Sequence, residues 1–146
     1  MPYVTDNPDT AFVVRERIRN GELMQLKALI KEGVDFNECL LAPGKTIRGY
    51  TPLHIAAFGT SKPNYDRDIV EAILQAAKKA GKEAEAACRA AKDKIDGETA
   101  LDLAKQRLAK VDANPPKPGA DDKDFLDEKK RLDKMIEFLE KGLPSG

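Results

Sequence analysis

The stretch from Gly49 to Ala57, which reads Gly-Tyr-Thr-Pro-Leu-His-Ile-Ala-Ala, constrains this chain more than any other part. Thr51 has the hydroxyl of a helix N-cap, which accepts a hydrogen bond from a backbone N–H of the first turn. Pro52 stands at the first helical position, where its missing N–H costs nothing. The glycine permits a tight turn, and the alanines leave one helix face small. The stretch therefore predicts a turn followed by a short helix that packs closely against a neighbour.

The same pattern returns between Gly97 and Ala104, with Thr99 at the cap position and Leu101 in the place that Leu53 has in the first stretch. Two other segments, 29–33 and 138–142, each place a glycine after two apolar and two polar residues. Together these strings resemble the ankyrin-repeat signature, whose Thr-Pro-Leu-His motif opens the first helix of each repeat.

The resemblance implies an all-α solenoid of stacked antiparallel helix pairs with projecting hairpin or loop fingers. It covers 1–146 as a single domain of three repeats, at about 10–37, 49–81 and 96–142. Thr51 and Thr99 lie 48 positions apart, whereas an ordinary repeat has about 33 residues. We therefore expect insertions in the second repeat, at 59–66 and 81–95. The resemblance also implies that the finger at 34–50 is longer than usual for the family. A proline-rich loop is expected in the third repeat, at 112–123.

Apolar residues at helical spacing predict the individual helices. They lie at about 11–19, 22–32 and 52–58, from Asp66 or Asp68 (either acting as N-cap) to Ala80, from Glu98 or Thr99 to about Lys110, and at about 124–141. Gly81 either ends the helix before it, or that helix continues through the alanine-rich stretch 82–92.

Charge and cysteine usage exclude several classes of protein. Lys and Arg together number 25, as do Asp and Glu, so the net charge is zero and a globally basic nucleic-acid binder is disfavoured. Cys39 and Cys88 match no metal spacing, and we interpret both as free thiols in a reducing compartment. No signal peptide or membrane span is evident. We expect a cytoplasmic protein, with export by a route without a cleaved signal still open.

His54 is the one histidine of the chain. A lone histidine without Cys, Asp or Glu at ligand spacing is a poor metal candidate. The resemblance instead implies that this residue hydrogen-bonds backbone between adjacent repeats. No catalytic constellation, phosphate-binding loop or cofactor motif is present, so we expect neither an enzyme nor a bound cofactor or metal. The residues expected to be structural are Thr51, Pro52, Leu53, His54, Thr99 and Leu101.

The segment 39–65, called here the 39–65 patch, contains basic and aromatic residues and no acidic residue. Arg and aromatic side chains are the usual anchors of protein interfaces. In the ankyrin register several of these residues, with their counterparts in the third repeat, fall on the positions that face partners. The candidate partner-binding residues are Lys45, Ile47, Arg48, Tyr50, Phe58, Lys62, Tyr65, Ile95, Glu98 and Arg107. The alternative is that Ile47 and Tyr50 pack finger against finger and that Phe58 packs between helices.

These features predict a monomeric, non-catalytic module that binds a partner protein, expected to carry an acidic patch, through its fingers and concave face. An adaptor, an inhibitor or immunity protein, and a bacterial effector are all compatible with that prediction, because a fold alone does not select among them. The alternative hypothesis is nucleic-acid binding through the 39–65 patch, which steep salt dependence would reveal.

Overall fold

The structure is a computed structural model that describes residues 10–34, 40–41 and 48–143. These residues contain seven α-helices, a short 3-10 helix at Pro63–Tyr65, and no strand. The α-helices are α1 (Thr10–Arg19), α2 (Leu23–Glu32), α3 (Pro52–Phe58), α4 (Asp66–Ala80), α5 (Lys82–Ala90), α6 (Ala100–Asp112) and α7 (Lys123–Lys141).

The helices form two layers. Helices α1, α3 and α6 contact one another in that order and form the first layer, and α2, α4 and α7 form the second. Each helix of the first layer also packs on the following helix of the second, so that α1 pairs with α2, α3 with α4, and α6 with α7. Helix α5 is additional and contacts α4 and α6. The predicted all-α class with stacked helix pairs is confirmed.

Helices α3 and α4 provide the centre of the core. A seven-residue helix is too short to be stable alone in water, so α3 depends on its packing. All of its residues except Phe58 are buried. Opposite it, α4 contributes a buried apolar stripe consisting of Ile69, Val70, Ala72, Ile73, Leu74 and Ala77.

The expected helix bounds hold for α3, and Gly81 ends α4, so that α5 is a separate helix. The expected cap of α4 was wrong. The N-cap position is Tyr65, which makes no side-chain cap bond, and Asp66 is already the first helical residue. The carboxylate of Asp66 instead accepts hydrogen bonds from Thr60. Most of the expected 34–50 finger lies outside the described residues.

Helix α5 is fixed to the end of α7 by an arginine. Arg89 Nη1 donates to the carbonyl oxygen of Glu140 at 3.0 Å, one of the last carbonyls of α7. A cation at a helix C-terminus also interacts favourably with the helix dipole. None of the helices within the described ranges is both long and apolar enough to cross a membrane.

Candidate functional site

The start of α3 is linked to the segment that precedes α6 through His54. The Thr51 hydroxyl accepts a hydrogen bond from the His54 backbone N–H, which makes Thr51 the N-cap of α3. His54 Nδ1 accepts from the Thr51 N–H at 3.2 Å, while Nε2 lies 2.7 Å from the Glu98 carbonyl oxygen. A carbonyl oxygen only accepts, so the proton is on Nε2. We call this contact between His54 and Glu98 the His54 bridge.

A row of aromatic rings lies beside this bridge. The Tyr50 ring stacks on the His54 ring with centroids 5.2 Å apart and planes 10° apart. Phe58 follows at 6.2 Å from Tyr50, tilted by 52°. On the other side, the Arg48 guanidinium lies 5.7 Å from the centroid of the Tyr50 ring, within the range of a cation–π interaction. Tyr50 is therefore held by neighbours before any partner arrives.

The two turns that precede α3 and α6 contact each other directly. The Arg48 carbonyl accepts from the Lys94 N–H at 2.8 Å. Gly49 has φ +64°, a conformation that favours glycine, and a Cβ atom there would also displace the Lys94 side chain, which lies 2.8 Å away. Arg48 Nη1 also lies 3.5 Å from a carboxylate oxygen of Asp96. The 39–65 patch contains no acid in sequence, but the fold brings one to its arginine.

The turn that precedes α6 is shaped by Asp93, which is 5 % exposed. One of its carboxylate oxygens accepts from the backbone N–H groups of Asp96 and Glu98, at 3.2 and 2.8 Å. The Asp93 N–H in turn donates to the Glu98 carbonyl, the same oxygen that His54 contacts. Asp93 thereby presents this carbonyl to His54.

A groove of about 780 Å³ opens beside the aromatic row. Arg48, Tyr50 and Phe58, all predicted from the sequence, line it. Phe58 is 64 % exposed although the rest of its helix is buried. We call this surface the Phe58 groove.

Four further lining residues of the Phe58 groove were missed by the sequence analysis, namely Arg19, Ile55, Thr60 and Ser61. The end of α1 meets the loop after α3 here, since the Ser61 N–H donates to the Arg19 carbonyl at 2.9 Å. No local sequence signal could have indicated this approach. Arg19 itself is paired with Glu16 at 2.9 Å.

Arg107 forms an ion pair within the fold. Its Nη1 lies 2.7 Å from a carboxylate oxygen of Asp66, and its side chain is 17 % exposed. Burial raises the pKa of the Asp66 carboxyl, an effect that the hydrogen bonds from Thr60 and the charge of Arg107 only partly offset. Arg107 thus ties α6 to the start of α4, and its predicted role in partner binding stays a prediction.

The remaining candidates are scattered. Tyr65 and Ile95 are 43 % and 53 % exposed, and neither lines the Phe58 groove. Lys62 is exposed next to Gly21, while the Glu98 carboxylate accepts from the side chain of Gln106. The other two candidates, Lys45 and Ile47, lie outside the described residues.

The structural candidates lie at the two helix starts. Pro52 and Leu53 are buried, whereas Leu101 is half-buried against the core. The Thr99 side chain caps α6 by accepting from the Asp102 N–H at 3.2 Å.

The described part of the chain contains no group of His, Cys, Asp and Glu that could hold a metal ion. Cys88 is a buried free thiol, and burial together with the nearby Glu85 carboxylate raises its pKa to about 12. A thiol in that state is a poor nucleophile, because the thiolate is the reactive form. Cys39 lies outside the described residues.

Comparison with known proteins agrees with this geometry. The model of the ankyrin-repeat family matches residues 48–81, which contain the Thr51 cap, α3 and α4. No curated protein and no solved structure matched the chain. Ankyrin repeats generally mediate interactions between proteins and are non-catalytic. The family match over residues 48–81, together with the sequence signature and the stacked helix pairs, supports the presence of an ankyrin repeat in this chain.

Proposed function

We propose that this chain binds one partner protein through the Phe58 groove and catalyses no reaction. The observation that carries the proposal is Phe58, a large apolar ring that is 64 % exposed at the end of an otherwise buried helix. A contiguous exposed apolar surface marks an interaction site, and Phe58 lines the same groove as Tyr50 and Ile55. Aromatic residues seated in pockets also supply much of the energy of protein interfaces.

The groove is organised before a partner binds. Tyr50 is stacked between His54 and Arg48, so its ring loses little freedom on docking. Association is opposed by the ordering of side chains, so a surface with fixed rings binds more tightly than a mobile surface of equal area. A rigid groove therefore suits a module that binds and does no chemistry.

Two arginines suggest the chemistry of the partner. Arg19 and Arg48 line the groove, so we propose that the partner presents carboxylates beside an apolar side chain. Because these arginines already contact Glu16 and Asp96, the groove is only modestly basic. That pairing and the zero net charge favour a protein over a nucleic acid as the partner.

The wider assignment follows from the same proposal. We take α1–α2 and α6–α7 as the flanking repeats, within one domain that acts as a cytoplasmic monomer. Its role would be that of an adaptor, an inhibitor or immunity protein, or an effector. Each of these roles requires only that the Phe58 groove bind to a surface of the partner protein.

The test begins with a photo-crosslinking amino acid placed at Phe58 and, as a control, at Leu126. Leu126 is 46 % exposed on α7 and does not line the groove. The protein crosslinked from Phe58 is identified by mass spectrometry and purified. Phe58→Ala should then weaken its binding by about 2 kcal/mol or more, and Arg48→Glu should weaken it further, whereas Leu126→Ala should not. Normal binding by Phe58→Ala together with a loss for Leu126→Ala would reject the groove as the working surface.

A further inference from the structure

A second groove, of about 650 Å³, lies in the other helix layer, between α2 and α4. Its floor is apolar: Ile30 lies on α2, Val34 follows that helix, Leu40 also lines the groove, and Ala72 and Ala76 come from α4. The two alanines explain the depression, because their small side chains leave space where larger ones would fill the gap between the helices. We call this surface the lysine groove.

Lysines border the floor on both sides. Lys27 and Lys31 are one turn apart on α2, and Lys79 stands on α4 one turn after Gln75. All three lysines are exposed, and none forms an ion pair with another described residue. Among the described residues, none of those that line the groove is acidic. In a chain of zero net charge, this is a local excess of positive charge around an apolar floor.

We propose that the lysine groove docks an acidic amphipathic helix of a partner protein. A narrow apolar stripe would enter the groove, and carboxylates on both flanks would meet Lys27 and Lys31 on one side and Lys79 on the other. The one-turn spacing of Lys27 and Lys31 matches carboxylates four residues apart on a helix. This is the helix-in-groove mode of recognition, with charges that fix its register.

The recessed floor argues against a membrane as the occupant. A flat lipid surface would meet the lysines but could not fill the depression formed by Ala72 and Ala76. The proposal is independent of the Phe58 groove, because the two surfaces are lined by different residues in different helix layers. Either of the two binding proposals can therefore be disproved without affecting the other.

The test uses a fluorescein-labelled synthetic peptide with leucines at helical spacing and glutamates on both flanks. Reversal of the three lysines, K27E/K31E/K79E, should lower its affinity by about tenfold or more, because the charges oppose the glutamates. The matched control is K110E/K123E/K130E, which changes the net charge equally at exposed lysines outside the groove. Exposed charges contribute little to folding, so both variants should melt normally. Amide chemical shifts of the wild type should move at Ala72 and Ala76.

Several results would overturn the proposal. If the control variant binds the peptide as weakly as K27E/K31E/K79E, the effect comes from net charge and not from the groove. If K27E/K31E/K79E binds the peptide as tightly as the wild type, or if the wild type does not bind it, the groove is not a docking site. If a peptide with serines in place of the leucines binds equally tightly, the apolar floor does not contribute to binding. If the wild type does not bind the peptide but pellets with phosphatidylserine vesicles, and K27E/K31E/K79E does not pellet, the groove binds a membrane instead. If the wild type dimerises and K27E/K31E/K79E does not, the occupant of the groove is a second copy of the chain.

Discussion

The starts of α3 and α6 carry the same cap but differ at the third helical residue. In each, a threonine hydroxyl accepts from the backbone N–H three residues later, and the side chain of that later residue accepts from the threonine N–H. At α3 that residue is His54, whose ring also reaches the Glu98 carbonyl. At α6 it is Asp102, whose carboxylate accepts from the Thr99 N–H at 3.0 Å. A histidine is long enough to cap its own helix and join the next one, whereas an aspartate only caps.

The difference matches the positions of the two helices. α3 has a neighbour on each side in the first layer, α1 and α6. Among the described residues, α6 has α3 on one side and no first-layer helix on the other. The His54 bridge thus starts from α3, the helix that is followed in the first layer by another helix, α6. The ion pair between Arg107 and Asp66 joins the same two helix pairs at a second point.

Truncation of the equivalent leucines should give the largest contrast. Leu53 is fully buried, so Leu53→Ala should lower the free energy of unfolding by about 2–5 kcal/mol. Leu101 is half-buried, so Leu101→Ala should cost clearly less. Urea melts of both variants measure this. Equal losses would mean that the two helix starts are buried alike, against the structure.

Replacement of the third helical residue tests the bridge itself. His54→Ala should lower the free energy of unfolding by about 2–3 kcal/mol, because the side-chain bond to the Thr51 N–H, the bridge and the stacking on Tyr50 are all lost, while the Thr51 cap remains. Asp102→Ala should cost about 1 kcal/mol, the net value of the hydrogen bond that its side chain accepts from the Thr99 N–H. His54→Asn is the matched control, since its amide can accept from the Thr51 N–H but cannot reach Glu98. A His54→Asn variant as stable as the wild type would show that the bridge contributes nothing.

The Asp66–Arg107 pair should give a smaller, pH-dependent effect. Because the pKa of Asp66 is raised in the folded state, the contribution of this carboxyl is complete at low pH and declines as the pH rises through the folded pKa. The stability of the wild type relative to Asp66→Asn should therefore be greater near about pH 4 than at about pH 7. Chemical denaturation at both pH values measures this, with Asp68→Asn as the control. A relative stability that increases with pH would contradict the raised pKa.

Local signals gave the sequence analysis its successes. The bounds of α3 could be predicted because Thr51, Pro52 and Gly59 are start and stop signals within the segment itself. The error at Asp66 had a tertiary cause. The loop after α3 folds back, so that the Asp66 carboxylate accepts hydrogen bonds from Thr60 and pairs with Arg107 of α6. Sequence reasoning could not see Arg19 beside Ser61, or Lys79 opposite Lys27, because each pair meets only through helix packing. The family resemblance indicated that His54 bonds backbone between repeats but not that Glu98 would accept.

The protonation of His54 tests the His54 bridge most directly. The chain has one histidine, so a long-range ¹H–¹⁵N correlation spectrum of the imidazole shows a single pattern. The hydrogen bonds place a proton on Nε2, which donates to the Glu98 carbonyl, and leave Nδ1 to accept from the Thr51 N–H. That pattern at neutral pH would support the account. A proton on Nδ1 with a bare Nε2 would contradict it, because two acceptors would then face each other across the bridge.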